Sequence, residues 1–195
     1  KGTLATWDTT VQGITIAHLG YDTVPGNIDP TATTPGAQRI PLKPWGTLNQ
    51  TDIQRVQTEI QAAKATNDIV IPWFHWGTEY THDANQEQRA LAHAAIDAGA
   101  EVVIGTHPHW TQGFEWYKGH LIAYSLGNFV FDQNWSEETK RSVALELTFS
   151  DKRVTGAKLL PARVENWVQP HFLEATSPVY TQILEDIAEH SWWNV

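Results

Sequence analysis

Apolar residues along this chain gather into short runs separated by polar turns, and two of these runs set the frame. Asp68-Ile69-Val70-Ile71-Pro72-Trp73-Phe74 and Val102-Val103-Ile104-Gly105 are almost unbroken. That is the pattern of strands buried on both faces of a parallel sheet. Between them, residues 86–98 place Leu91, Ala94, Ala95 and Ala98 on one helical face, with Gly99 as terminator. Strand, helix, strand in this order predicts a crossover unit. Upstream, residues 52–65 carry an apolar stripe of Ile53, Val56, Ile60 and Ala63, and Thr51 with Gln54 makes a capping-box pattern. Thr9 to Leu19 reads as strand, glycine turn, strand. Residues 23–46 hold five of the ten prolines and predict a long irregular connection. Beyond Gly113, alternation predicts strands at residues 114–117, 121–126, 143–149 and 154–160, antiparallel ribbons expected to complete the same layer. After Pro178, the spacing of Tyr180, Ile183, Leu184 and Ile187 predicts a closing helix to about residue 190.

Both buried runs stop at histidine. The first leads into His75-Trp76-Gly77-Thr78-Glu79-Tyr80 and the second into Thr106-His107-Pro108-His109-Trp110. Neighbouring parallel strands present their carboxyl ends at one sheet edge, where open α/β sheets bind ligands. In an extended loop, His107 and His109 would also point the same way. His75, His107 and His109 are therefore candidate ligands for a divalent metal, with zinc, manganese and iron all suited to imidazole. Glu79, four residues after His75, is a candidate to orient an imidazole or move a proton, although a surface carboxylate would look the same. His82 and His93 read as solvated or packing residues. Ten tryptophans are many for this length. Trp76 and Trp110 adjoin proposed ligands and are either core or an aromatic wall for an extended polymer. Asn128 and Asp132, in Gly127-Asn128-Phe129-Val130-Phe131-Asp132, fit either a tight turn or a place beside the site.

Three segments, taken together, resemble the CapA family of bacterial capsule and poly-γ-glutamate biosynthesis proteins. They are His75 to Tyr80, then Gln88 with Ala98 to His109, then Tyr124 to Asp132. The resemblance implies a calcineurin-like metallophosphoesterase fold: an α/β sandwich, or its carboxy-terminal half, with parallel strand-helix-strand units followed by antiparallel strands. The family's Gly-Asp turn and Asn-His pair are not in this chain, so the resemblance implies that an amino-terminal half is missing. It also implies an extracytoplasmic, cell-surface protein, membrane-anchored through an upstream segment, with membrane synthase subunits as further partners. The implied partner is an anionic polymer, poly-γ-glutamate, or a phosphoester substrate. The implied chemistry is metal-assisted hydrolysis with Glu79 and His107 as catalytic groups; a noncatalytic polymer-binding scaffold and a general phosphoesterase are the alternatives. Asn128 and Asp132 would then line the substrate site with Trp76 and Trp110.

Length and composition narrow this further. A chain of 195 residues with 41% hydrophobic content suits a single soluble domain over residues 1–195. It starts at Lys1 and has no methionine, so a processed or truncated polypeptide is expected. No cysteine is present, which excludes disulfides and thiolate ligands and leaves nitrogen and oxygen donors for any metal. A formal charge of −9 opposes nucleic-acid binding. An anionic substrate would need local compensation, which a bound dication supplies.

Overall fold

In this computed structural model, the described residues are 7–26, 38–41 and 48–192. The main sheet has six strands: β1 (Trp7–Val11), β2 (Ile14–Asp22), β3 (Ile69–His75), β4 (Val102–Thr106), β5 (Phe114–Tyr117) and β6 (His120–Ala123), in the order β1-β2-β3-β4-β6-β5. β2, β3, β4 and β6 run parallel, and β1 and β5 are antiparallel edges. Helix α1 (Gln50–Lys64) connects β2 to β3, and α2 (Gln86–Asp97) connects β3 to β4. The expected crossover units are thus present.

Each face of this sheet has its own core. On one side Ala17, Leu19, Val70, Phe74, Val103 and Ile122 pack against Val56 and Ile60 of α1 and Leu91, Ala92 and Ala95 of α2. On the other, Ile16, Ile69, Ile71, Val102 and Ile104 meet Val143 and its partly buried neighbours Leu145 and Leu147. Those last residues belong to a second, three-stranded antiparallel sheet: β7 (Arg141–Ser150), β8 (Arg153–Glu165) and β9 (Gln169–Phe172), in the order β7-β8-β9. Helix α3 (Pro178–Glu189) adds Ile183 and Ile187 to the same core.

Several expectations are corrected here. The downstream ribbons divide: β5 and β6 join the main sheet, whereas β7 and β8 lie face-on to it. Alternation in β7 explains this, because Val143, Leu145 and Leu147 give it one apolar face, suited to packing on a sheet but not to a strand covered on both sides. β9, with its polar and exposed sequence, carries no periodic signal and went unpredicted. Helix α1 is capped by Asn49, whose side chain accepts from the Thr51 amide, and not by the Thr51 and Gln54 pattern. Helix α2 has a true capping box between Asn85 and Gln88. Most of the long connection lies outside the described residues; within it, Arg39 bridges to Asp22 and Ile40 is buried.

Gly105 of β4 shows how tightly the sheet edge is packed. A Cβ there would stand 2.0 Å from the Tyr124 carbonyl oxygen and 2.3 Å from Trp76 Nε1. Gly105→Ala is expected to lower stability by about 1–3 kcal/mol or more. In urea melts this should appear as a lower midpoint at unchanged slope; an unchanged midpoint would contradict the packing described.

Candidate metal centre

Backbone register places the site. Asp22, His75 and Thr106 are paired across β2, β3 and β4, so three parallel strands end in one row. Beyond that row the Trp76 amide donates to the Thr106 carbonyl at 3.1 Å and the Tyr80 amide to the Pro108 carbonyl at 2.9 Å. These bonds lace the loop after β3 to the loop after β4. The two loops are not extended, as period-two reasoning supposed. His107 and His109 have φ of 96° and 62°, and Tyr80 has 61°. Left-handed backbone at three non-glycine residues costs energy and clusters at functional sites. It also turns the imidazoles together: His75 and His107 ring centroids are 4.7 Å apart, and those of His107 and His109 are 5.8 Å apart.

Donor atoms of Glu79, His107 and His109 all lie within 4.8 Å of one another, an arrangement able to hold a metal ion. His75 stands against His107 beside this tightest set. Hydrogen bonds fix which nitrogens face inward. Asn128 is buried, and its Nδ2 donates to the Thr139 carbonyl at 3.0 Å, so its Oδ1 must face His109 Nδ1, 2.8 Å away. That nitrogen therefore carries the proton, leaving the His109 Nε2 lone pair toward Glu79 Oε1 at 3.8 Å. His75 Nδ1 sits 3.3 Å from Thr106 Oγ1, which itself donates to the Phe74 carbonyl. The hydroxyl then accepts from His75, and Nε2 is again the free donor atom. Burial holds His75 and His107 below the usual imidazole pKa, partly offset at His75 by the Asp22 charge; His75 also depresses His107. Neutral imidazole is the ligating form. Nitrogen and carboxylate donors of this kind fit zinc, manganese or iron.

The remaining sequence candidates separate. Asn128 belongs to the site as the residue that orients His109. Asp132 is exposed, and its carbonyl accepts from Asn134 Nδ2 at 3.2 Å. Trp76 is a correction: it is 1% exposed, stacks on Phe74 with centroids 4.6 Å apart, and donates from Nε1 to the Tyr124 carbonyl at 2.9 Å. Its ring points into the core because it continues the alternation of β3, on the same face as Val70 and Phe74. Trp110 is partly buried against Tyr80 and His82. His82 and His93 have packing roles; His82 Nδ1 lies 2.7 Å from the Thr111 carbonyl, and His93 bonds buried Glu115 at 2.9 Å. Gln88 anchors the first histidine loop: its Oε1 accepts from the Asn85 amide, and its Nε2 bonds Gln112, which holds the Thr81 and Asp83 carbonyls.

Asp22, Thr106 and Tyr80 escaped sequence reasoning. Asp22 was legible only as a carboxylate ending a third apolar run, and the strand extends past Leu19 to reach it. Tyr80 lies over His109 with centroids 5.9 Å apart.

A parallel-rich α/β sheet with a histidine cluster at its strand ends defines the class. The chain belongs to the family described as Bacterial capsule synthesis protein PGA_cap, whose model matches residues 4–133. It is 32% identical to the capsule biosynthesis protein CapA of Bacillus anthracis over 187 residues, covering 94% of this chain and 44% of that protein. It is 43% identical over 127 residues to the PGA biosynthesis protein CapA of Bacillus subtilis, covering 65% of this chain and 30% of that protein. A probable polyglutamine synthesis accessory protein of Mycobacterium tuberculosis is 33% identical over 116 residues, covering 56% of this chain and 30% of that protein. The chain thus spans less than half the length of these relatives.

Two outcomes follow from the hydrogen bonds and burial. Asn128→Ala frees the His109 ring and is expected to weaken zinc binding about 10–100-fold, measured by calorimetry, without unfolding the domain. The metal-free protein should also lose stability in acid. Unfolded histidines take up protons near about pH 6.5, whereas His75 and His107 do so lower, so the unfolded state binds more protons below that value. Their contribution is complete above about pH 6.5 and is lost as pH falls through the folded values. Thermal melts between about pH 7 and pH 5 should show a shallower decline for His75→Gln and His107→Gln than for the parent.

Proposed function

We propose that this chain is the metal-holding part of a bacterial capsule synthesis protein, acting outside the cytoplasm in the biosynthesis, export or anchoring of poly-γ-glutamate or a related anionic polymer. The convergence of Glu79, His107 and His109, with His75 against His107 beside them, carries this reading, and the names of the relatives support the polymer. When bound, a divalent ion supplies Lewis acidity and local positive charge in a chain that is otherwise acidic. Asn128 and Thr106 hold the imidazoles in the ligating tautomer. Glu79, about half-exposed, takes a proton from an incoming water and returns it to the departing group at a phosphorus or carbonyl centre. His107, held below the usual imidazole pKa by burial, would spend its one lone pair on that ion, which leaves the proton to Glu79. Attachment to a membrane synthase would draw on sequence other than the described helices, none of which is long and apolar enough to cross a bilayer.

A noncatalytic scaffold is favoured by one observation: among the described residues, the clustered donors form one group rather than a paired two-metal arrangement. The two readings divide in a strain lacking its own gene of this family and supplied with the full-length variant. His107→Ala with His109→Ala should abolish surface polymer at unchanged protein level, and full polymer would overturn the proposal. Glu79→Gln separates the roles: lost polymer with zinc still bound supports proton transfer, and normal polymer supports the scaffold.

A further inference from the structure

Seven of the ten exposed large hydrophobic side chains among the described residues fall in just two segments, residues 129–135 and 167–172. The two are joined. Asn134 Nδ2 donates to the Trp167 carbonyl at 2.8 Å, and Phe129 and Phe172 have centroids 6.0 Å apart. Such a concentration of exposed apolar surface marks a binding region rather than scattered surface residues. It is also continuous with the histidine cluster. Phe131, 41% exposed, lies 5.2 Å from the His109 ring, and Trp135, 60% exposed, meets Tyr80 edge-on at 4.7 Å while Tyr80 lies over His109.

We propose that Tyr80, Phe131 and Trp135 form an aromatic shelf leading into the histidine cluster, on which a linear anionic polyamide lies with its methylene and amide groups against the rings. This inference rests on the polymer reading above and names the surface that recognises the chain. Ring faces attract methylene and amide N–H groups and repel carboxylates. Nearby cations are already engaged: Arg163 pairs with Glu137 and Glu165, Lys140 with Glu137, and Arg141 with Asp186. One polymer carboxylate is therefore left to meet an ion held by the histidine cluster, while those along the shelf face solvent. The apolar surface continues past Phe129 to the β8–β9 turn, where Trp167 is 73% exposed, farther than one small ligand needs.

The test uses the full-length zinc-loaded protein, with poly-γ-glutamate of graded length, free glutamate and phosphatidylcholine vesicles as probes. Phe131→Ala with Trp135→Ala should weaken long-polymer binding about tenfold or more, with zinc affinity, free glutamate binding and circular dichroism unchanged. Trp7→Ala, an exposed ring on the β1 edge, should change nothing. Polymer affinity preserved in the folded double variant overturns the shelf while leaving the function above intact. No polymer binding by the parent protein overturns both. Vesicle capture lost in the double variant, with polymer affinity preserved, assigns the rings to lipid and overturns the proposal.

Discussion

The parallel ladder of β2, β3 and β4 is the constraint on which everything else rests. Parallel pairing aligns strand ends, and here it sets Asp22, His75 and Thr106 side by side. Shifting β3 by one residue would turn His75 to the helix-covered face and Phe74 to the other. The cores on both faces forbid that slip, since Phe74 is fully buried among Leu19, Val103 and Trp76. Hydrophobic burial far from any chemistry thus fixes a histidine to within a hydrogen bond of Thr106.

Much of this was legible in the sequence, for reasons that particular residues make clear. Continuous apolar runs announced β3 and β4, helical spacing announced α2, and a histidine after each run located the metal candidates. Alternation was read less well. Val143, Leu145 and Leu147 indicate a one-sided strand, yet nothing local says whether that side faces the helices or a second sheet. Trp76 had the opposite fate to the expected wall because strand alternation carries its ring onto the helix-covered face with Val70 and Phe74. Tyr80 and Asp22 were missed since each acts through tertiary neighbours: Tyr80 through a left-handed turn over His109, Asp22 through pairing with a strand some fifty positions away.

Around that frame, polar contacts are arranged to keep imidazoles aimed. Asn128 can serve His109 only because its amide nitrogen is committed to Thr139, and Gln88 can hold the first loop only because Gln112 is committed to it in turn. Buried amides that satisfy one another in this way fix ring tautomers more firmly than solvated ones. The positive φ values of His107 and His109 flank Pro108, whose carbonyl accepts from the Tyr80 amide. A candidate site assembled from strained loops on a rigid ladder gains preorganisation at the expense of stability.

The most direct test is anomalous scattering at the zinc edge from crystals grown with the ion. The account predicts a single strong peak within bonding distance, about 2.0–2.1 Å, of His109 Nε2 and of a ring nitrogen of His107, beside Glu79 and His75, with Asn128 still bonded to His109 Nδ1. A peak away from His107 and His109, or an ion held by other residues, would contradict it.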